Sequence, residues 1–271
     1  MATYIVGDIQ ACLSGLQKLL KKVNFCPKTD KLIAVGDLIG RGPEALDTLE
    51  YLMGLGNNFD TVLGNHDLHF LAIYAGVRKA KASDKFDDLL ASPKIETYID
   101  WLRQKPLALT LDKQTLICHA GLYPQWSIKQ GVKYSKEISQ ILGSSQWKIF
   151  LANMYGSQPN IWHDKLKGAE RNRFIVNAFT RMRFLEQKSA LNFDCKSTPE
   201  DAPKKLEPWF NITNSQLTKH QSIIFGHWAA LQGKTRLKNI IGLDTGYLWG
   251  LSMTLLDFDT KIKYSVENKE K

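Results

Sequence analysis

Five short strings along this chain each place a residue that can bind a metal directly after an apolar, β-branched run. The strings are Gly7-Asp8-Ile9-Gln10, Gly36-Asp37, Gly64-Asn65-His66-Asp67, His119-Ala120-Gly121 and Gly226-His227-Trp228. The apolar runs are typical of buried strands, and the glycine in each string leaves room for a turn and for an ion or a phosphate. Because parallel strands carry functional residues at their carboxyl ends, the five strings predict one polar site.

The first half of the chain alternates predicted strands and helices. The predicted strands are Thr3–Ile9, Leu32–Leu38 and Thr61–Leu63. The predicted helices are Leu13–Val23, a second from Pro43 to about Leu55, and a third after Asp67. This βαβαβ order predicts parallel strands with helices on the faces of the sheet and a site at the carboxyl ends of the strands.

The second half has two different patterns. Residues 76–112 are rich in lysine, include a predicted helix at Ile95–Arg103, and lead to a strand that ends at His119. Residues 123–215 lack the strand pattern, and we interpret them as a mostly helical, cap-like insertion. The last predicted strands are Ser222–Phe225, Ile240–Leu243, Met253–Phe258 and Lys261–Val266, the final two forming a hairpin around Asp259-Thr260. We therefore expect one α/β (α+β) domain over 1–271, with two mixed β-sheets packed as a sandwich and flanked by helices.

Composition narrows the class of protein further. Hydrophobic residues make up 44% of the 271 residues, which is enough for a sizeable core. The four cysteines are scattered, so we expect reduced thiols in a cytoplasmic protein. No basic and apolar leader precedes the first strand, and no window approaches the length of a membrane span. We expect no association with membranes, and the sequence indicates no stable protein partner.

The chain has a net charge of +9. Such an excess attracts polyanions, including phosphate-rich ligands and RNA. The alternative is a surface decorated with lysines that aids solubility, and the sequence leaves both interpretations open.

The ligands in the five strings suit a centre with two divalent cations. Carboxylate, amide oxygen and imidazole are ligands for hard and borderline cations. Two cations about 3.5–4 Å apart need a shared anionic ligand, and Asp37 is the natural bridge. Asp8 would complete the shell of the first cation, and the second would be held by Asn65, His119 and His227.

Three further residues beside the ligands suit phosphate chemistry. Arg41 follows Asp37 by four residues in a glycine-rich turn and offers a forked donor to two phosphate oxygens. His66 follows Asn65 and suits a general acid or a donor to the phosphate. Asp67 either caps the next helix or orients His66.

A single histidine is more often structural than a ligand. Three of the six histidines fall inside the glycine-flanked strings, which favours a functional role for those three. For the others we keep a structural interpretation: His69, His163 and His220.

The motifs GDLIGRGPE, GNHD, HAG and GHW resemble those of the phosphoprotein phosphatase-type metallophosphoesterases. Within that superfamily, residues 177–184, 226–229 and 243–246 are most similar to the bacterial symmetrical dinucleoside tetraphosphatases. The similarity runs from Tyr4 to about Val266. It implies the metallophosphoesterase fold, two divalent cations expected to be Mn²⁺ or Co²⁺, and cleavage of diadenosine tetraphosphate into two ADP. The same pocket would also accept an RNA that carries a nucleoside tetraphosphate cap at its 5′ end.

Two residues depart from the patterns of the superfamily. Gln10 stands where the first motif usually has a histidine, so the first cation should be held weakly, directly by the amide oxygen or through water. Gly40 stands where protein Ser/Thr phosphatases have an aspartate that pairs with the histidine of GNH. The second departure argues against a protein Ser/Thr phosphatase, which stays the enzymatic alternative. A non-catalytic nucleotide- or RNA-binding protein is the alternative from another class, and the retained ligands argue against it.

Further residues are candidates for binding the substrate. A four-phosphate chain carries negative charge beyond what the cations neutralise, and Arg181 and Arg183 are the best candidates to bind it, unless they form the solvated face of a helix. Adenine stacks on aromatic side chains. The aromatic candidates near the strings are Trp126, Trp228 and Tyr247, whereas Trp162 and Trp209 are expected in the core.

Overall fold

The computed structural model describes residues 1–269, apart from the side chain of Lys188. The β-strands in this range are β1 Thr3–Val6, β2 Lys31–Ala34, β3 Phe59–Thr61, β4 Ala108–Thr110, β5 Thr115–Cys118, β6 Phe184–Leu185, β7 Leu191–Asn192, β8 Glu207–Pro208, β9 Ser222–Phe225, β10 Ile240–Gly242, β11 Ser252–Asp257 and β12 Lys263–Glu267. The α-helices are α1 Leu13–Lys22, α2 Ala45–Gly54, α3 Asn65–Tyr74, α4 Asp87–Ala91, α5 Ile95–Arg103, α6 Ile128–Leu142, α7 Trp147–Asn153 and α8 Gly168–Arg181.

Two mixed sheets form the centre of the molecule. The first has the order β12-β11-β1-β2-β3, in which β1, β2 and β3 are parallel and β11 runs antiparallel to both of its neighbours. The second has the order β10-β9-β5-β4, in which only β4 is antiparallel to its neighbour. The parallel strands of each sheet therefore end along one edge, which is where the predicted ligands follow them.

The two sheets pack face to face through a small apolar core. This core contains Ile5, Ile33 and Val35 from the first sheet and Ile117 and Ile224 from the second. The neighbouring residues along each strand point the other way, because side chains alternate across a strand. They join the larger core beneath the helices, and this two-faced burial explains the nearly continuous apolar runs in the sequence.

The helices cover the outer faces of the sandwich. In α1 the buried residues Leu13, Leu16, Leu19 and Leu20 recur at helical spacing and lie against β11 and β12. The helix α6 begins at a capping box, in which the Ser127 side chain accepts from the N–H of Gln130, and it packs on β4.

The fold class predicted from the sequence is confirmed: mixed sheets packed as a sandwich and flanked by helices. The strands β1 and β2 are shorter than predicted, whereas β9 has the predicted bounds. The prediction that α3 begins after Asp67 is wrong, because the helix begins at Asn65 and its first turn carries the GNHD ligands.

The segment 123–215 holds α6, α7 and α8 together with a small sheet of order β7-β6-β8. The sequence pattern does not predict this sheet, because strands of two residues carry no recognisable period.

Within residues 1–269, none of the helices has both the length and the apolar character needed to cross a bilayer.

Candidate metal centre and substrate cavity

Loops at the ends of β1, β2 and β5 bring three metal-competent side chains to one point. Donor atoms of Asp8, Asp37 and His119 all lie within 4.8 Å of one another, and all three residues are buried. The distance from Asp37 Oδ2 to His119 Nε2 is 3.4 Å. A buried trio of this kind is the expected product of parallel strands that end in register.

Asn65 and His227 complete the group from α3 and from the loop after β9. The amide oxygen of Asn65 lies 3.2 Å from His119 Nε2. The same end of the amide group lies 3.0 Å from Nδ1 of His227 and 3.1 Å from the carbonyl oxygen of Thr180. Turning the amide over satisfies all of these contacts, because its nitrogen then donates to them and its oxygen accepts from the N–H of His66 at 3.2 Å. The amide of Asn65 therefore contacts both imidazoles and joins them in one group.

Backbone N–H groups hold the carboxylates in place. Asp37 Oδ1 accepts from the N–H of His66 at 2.8 Å, and Asp8 Oδ1 accepts from the N–H of His227 at 3.0 Å. Each of these bonds joins two ligand loops, so the position of one ligand depends on the backbone of another. This is the preorganisation that a rigid metal site requires.

Two of the ligands lie on left-handed backbone. Asp37 has a φ of 50° and His227 a φ of 65°, and Gln10 shares the conformation with a φ of 48°. Such a conformation costs about 1–3 kcal/mol for a residue other than glycine, and it clusters at functional sites. The glycine that precedes each ligand indicates a turn, but it does not reveal that the ligand itself adopts this backbone.

Hydrogen bonding and burial orient the two imidazoles toward the ligand group. His119 Nδ1 donates its proton to the carbonyl oxygen of Val35 at 2.8 Å, so the other nitrogen, Nε2, faces Asp37 and the ligand group. Burial, together with the charge of Arg183, lowers the pKa of His227 well below its usual value. A neutral imidazole is the form that binds a metal.

The electrostatics of the group favour cations. Burial, followed by the charge of Asp244, raises the pKa of Asp8 well above the ordinary range. Burial likewise raises the pKa of Asp244 to about 6. Burial lowers the pKa of His119, but the charges of Asp37 and Asp8 outweigh this and raise it to about 10. The imidazole therefore holds a second proton between these carboxylates, which a bound cation would displace. Several carboxylates thus share a buried place in which their charged forms are costly, and bound cations would stabilise those forms.

The residues present therefore fit a metal centre. Asp8 and Asp37, with Gln10 beside them, offer oxygen ligands to a first cation. Asn65, His119 and His227 offer an amide oxygen and two imidazole nitrogens to a second cation. Asp37 lies next to His119 and could serve both cations. This donor set of carboxylates, an amide and imidazoles suits manganese, iron, cobalt or zinc.

The ligand group opens onto a cavity of about 760 Å³. Gln10, Asp37, Asn65, His66 and His227 line it, so the structure brings these predicted residues together. Its lining also includes five positively charged side chains: Arg41, Arg78, Arg181, Arg183 and Lys196. A cavity that joins a metal-competent group to several cations suits a ligand with many negative charges.

Arg183 and Arg181 line the cavity and also contact the protein. Arg183 Nη2 donates to the carbonyl oxygen of His227 at 3.2 Å. Arg181 Nη1 donates to Asn177 Oδ1 at 2.9 Å, and its guanidinium lies 4.4 Å from the ring centre of Phe193. Both arginines line the cavity, as expected for residues that bind the substrate, and they do not form the solvated face of a helix, the alternative that the sequence leaves open.

The structure corrects two of the three aromatic predictions. Trp126 is completely buried, and its ring contacts Tyr134 and Trp162 rather than the cavity. Tyr247 is also buried, packs against Gly15 and does not line the cavity. Trp228 lines the cavity, although its indole is 2% exposed. Proximity to the strings along the chain does not show which way an aromatic ring points.

The prediction of Asp67 as a catalytic residue is also corrected. Its side chain is completely buried and accepts from the N–H groups of Gly64 at 2.8 Å, Asp37 at 2.8 Å and Leu38 at 2.9 Å. It therefore caps α3 and fixes the loop that carries Asp37, and it does not line the cavity. Of the two roles left open by the sequence, the structure shows helix capping.

Two residues of the site were missed by sequence reasoning. Asp244 is nearly buried, lines the cavity and accepts from the N–H of Gly246 at 3.0 Å. It follows the apolar strand β10, so the pattern that identified the other ligands also applies to it. Trp249 lies on the cavity wall with 59% of its surface exposed, and no period or motif distinguishes it.

The sandwich of mixed sheets and the buried ligands at the strand ends define a metallophosphoesterase. Residues 1–229 match the calcineurin-like phosphoesterase family, and the chain belongs to that family.

Curated relatives match nearly the whole chain. One from Pasteurella multocida (strain Pm70) is 43% identical over 98% of this chain and 96% of its own length. Another from Yersinia pestis (strain Pestoides F) is 46% identical over 96% of this chain and 90% of its own length. Both carry the name symmetrical bis(5′-nucleosyl)-tetraphosphatase.

Solved structures share the fold. One, described as that of a candidate diadenosine tetraphosphatase, matches with a TM-score of 0.65 at 23% identity over 99% of this chain and 94% of its own. A protein serine/threonine phosphatase from Saccharomyces cerevisiae matches with a TM-score of 0.59 at 13% identity, over 100% of this chain and 81% of its own. Since both kinds of enzyme share this fold, the fold alone does not distinguish between the two activities.

Proposed function

We propose that the protein hydrolyses diadenosine tetraphosphate symmetrically, so that each molecule yields two ADP. The observation that carries the proposal is a buried group of carboxylate, amide and imidazole ligands on the floor of a cavity surrounded by arginines. Asp8 and Asp37 neutralise part of the charge of two divalent metal ions, so the metals alone cannot balance the charge of four phosphates. The arginines of the cavity supply the remaining positive charge. The names and near-complete coverage of the curated relatives support the same reaction.

Two divalent cations would be held with Asp37 shared between them, Asp8 and Gln10 on one side, and Asn65 with the two histidines on the other. Cations bound in this way lower the pKa of water and polarise the phosphoryl oxygens of the substrate. We propose Mn²⁺ or Co²⁺, because the resemblance to the symmetrical tetraphosphatases implies one of these two; the ligand set alone also suits iron and zinc.

The cationic side chains of the cavity would orient the phosphate chain. Arg41 and Arg183 lie on the cavity wall and offer forked donors to non-bridging oxygens. His66 lies beside Asn65 in the same cavity and would give a proton to the oxygen that leaves when the bond between the second and third phosphates breaks. Arg181 would hold an outer phosphate.

The structure also bears on the alternative of a protein Ser/Thr phosphatase. Gly40 has a φ of +106°, and a Cβ at this position would lie 2.9 Å from His66 Nδ1. A side chain at position 40 would therefore clash with His66 and would adopt a strained backbone, so this site leaves no room for an aspartate beside the histidine. This packing favours the nucleotide enzyme over the protein phosphatase.

The proposal extends to RNA with a nucleoside tetraphosphate cap, because the bond to be cleaved is the same and the net charge of +9 favours a polyanion. A capped oligonucleotide should give a nucleoside diphosphate and an RNA with a 5′-diphosphate. Recovery of intact capped RNA would exclude this extension without affecting the dinucleotide reaction.

The test of the main proposal is product analysis. Metal-free protein is supplied with Mn²⁺ and diadenosine tetraphosphate, and the products are resolved by ion-exchange chromatography. Two ADP are expected. ATP with AMP would contradict symmetrical cleavage, and no turnover combined with rapid phosphopeptide hydrolysis would favour the protein phosphatase.

A further inference from the structure

Trp249 is an exposed tryptophan on the wall of the substrate cavity. Its side chain is 59% exposed, and it lines the cavity, whereas the other large exposed apolar side chains in residues 1–269 do not. An indole left in water forgoes the stabilisation that burial would give. The indole therefore offers an uncovered aromatic face to a ligand that occupies the cavity.

The backbone beneath Trp249 is well defined. Residues Tyr247–Trp249 form a single 3₁₀ turn between Gly246, with a φ of 78°, and Gly250, with a φ of 82°. The turn is closed by a bond of 2.9 Å from the Trp249 N–H to the Gly246 carbonyl. The buried ring of Tyr247 anchors it against Gly15. The indole is thus presented on a fixed support.

The same loop reaches the metal-competent group. It begins at Asp244, which lines the cavity and interacts electrostatically with Asp8 and Asp37. Five residues later it places Trp249 on the cavity wall. A ligand that contacts the metals at one end of this loop can therefore contact the indole at the other.

Arg41 lines the same cavity and lies close to the Trp249 ring. Its guanidinium carbon is 5.4 Å from the centre of the Trp249 ring, and its backbone N–H donates to the carbonyl oxygen of Asp84 at 3.1 Å. Arg41 also follows Asp37 by four residues. A phosphate-binding guanidinium next to an exposed indole matches the order of groups in a nucleotide, where a base follows the phosphates.

Other aromatic rings near the cavity are less available. The ring of Tyr155 has the Arg78 guanidinium 3.9 Å from its centre, and the ring of Phe193 has that of Arg181 at 4.4 Å. Trp228 is 2% exposed. Trp249 therefore offers the most accessible aromatic surface among these rings.

We propose that Trp249 is a nucleobase platform, on which one purine of the substrate stacks while Arg41 binds the adjoining phosphates. The proposal rests on the proposed hydrolysis of dinucleoside tetraphosphates and assigns one base of that substrate to a side chain. Stacking of a base on an aromatic ring is worth about five- to 150-fold in affinity. Purines present a larger surface to the ring than pyrimidines, so the platform would also favour adenine over uracil.

The experiment compares Trp249→Ala and Trp249→Phe with Ile262→Ala, which removes an exposed apolar side chain from the turn between β11 and β12. Steady-state kinetics are measured with diadenosine tetraphosphate, diuridine tetraphosphate and p-nitrophenyl phosphate. Trp249→Ala should raise KM for the adenine substrate by about tenfold, with a much smaller effect on p-nitrophenyl phosphate. It should also narrow the preference for adenine over uracil. Trp249→Phe should retain most of the affinity, and Ile262→Ala should leave all three substrates unchanged.

Equal losses on diadenosine tetraphosphate and p-nitrophenyl phosphate, or no loss on either, would overturn the platform while leaving the hydrolytic function intact. Calorimetric titration with ADP in the presence of Mn²⁺ separates the two proposals. Weaker ADP binding by Trp249→Ala, in a protein that does not cleave diadenosine tetraphosphate, would retain the platform and refute the proposed function. Identical ADP binding by wild type and Trp249→Ala would refute the platform whatever the substrate.

Discussion

The floor and the wall of the cavity are built in different ways. The floor consists of the ligands Asp8, Asp37, Asn65, His119 and His227. Its aspartates and His119 are buried, and backbone N–H groups bind its carboxylates. The wall contains long side chains, such as Arg41, Arg181 and Trp249, that contact one another or nearby rings. The difference indicates two separate roles. The floor would catalyse the hydrolysis of any phosphate ester, and the wall would determine which substrate binds.

The largest effect is expected from Asp37→Asn on the floor. A neutral amide cannot serve as the shared anionic ligand, so at least one cation should be lost. The hydrolysis rate should fall by more than about 10²-fold, since even outer-shell changes cost 10–100-fold. Elemental analysis and turnover of the variant are compared with Asp47→Asn, an exposed aspartate in α2. Retention of both cations with near-normal turnover would falsify the bridging role of Asp37.

A smaller effect is expected from Asp67→Asn, which lies beneath the floor. The carboxylate of Asp67 accepts hydrogen bonds from three backbone N–H groups, and the NH₂ group of an asparagine cannot accept them. The loop that carries Asp37 should therefore shift. Metal affinity should fall by about 10–100-fold, and excess Mn²⁺ should restore most of the rate. A variant whose metal titration matches wild type would show that the loop holds its shape without this carboxylate.

The contrast between floor and wall also explains what the sequence could predict. Each floor ligand follows an apolar strand or run in the sequence, so its position directly after that run identifies it. The same criterion, applied to strand β10, also identifies Asp244. Wall residues depend on which way a side chain points after tertiary packing. The sequence favours Trp126 and does not distinguish Trp249, yet the first is buried among aromatic rings and the second is exposed at the cavity.

Replacing Arg181 or Arg183 in the wall should reduce catalytic efficiency less than replacing a floor ligand does. The reduction should also differ between substrates. Arg181→Ala and Arg183→Ala each remove charge-assisted hydrogen bonds worth about 1.5–3 kcal/mol, so catalytic efficiency should fall about tenfold or more. The loss should be larger for diadenosine tetraphosphate than for p-nitrophenyl phosphate, which is too short to reach the outer phosphate positions. Equal losses on both substrates would assign these arginines to the floor or the scaffold.

Arg183 provides an internal comparison, because its guanidinium also bonds to the backbone of His227. Arg183→Ala should therefore weaken metal binding as well, whereas Arg181→Ala should not. Metal titrations of the two variants measure this directly, and indistinguishable titrations would show that the bond to His227 does not position the ligand.

The smallest effect is expected from Gln10→His. The residue lies at a φ of 48°, a region that histidine tolerates better than most residues, and it lines the cavity beside Asp37. An imidazole should strengthen the first cation site and reduce the excess of Mn²⁺ needed for full activity. An unchanged titration would mean that Gln10 does not limit metal binding.

The most direct test of the metal centre is anomalous diffraction at the manganese edge from crystals grown with Mn²⁺. Two peaks are expected on either side of the Asp37 carboxylate, one near Asp8 and Gln10 and the other among Asn65, His119 and His227. A single peak, or two peaks that do not share Asp37, would contradict the two-cation centre on which the proposed hydrolysis depends.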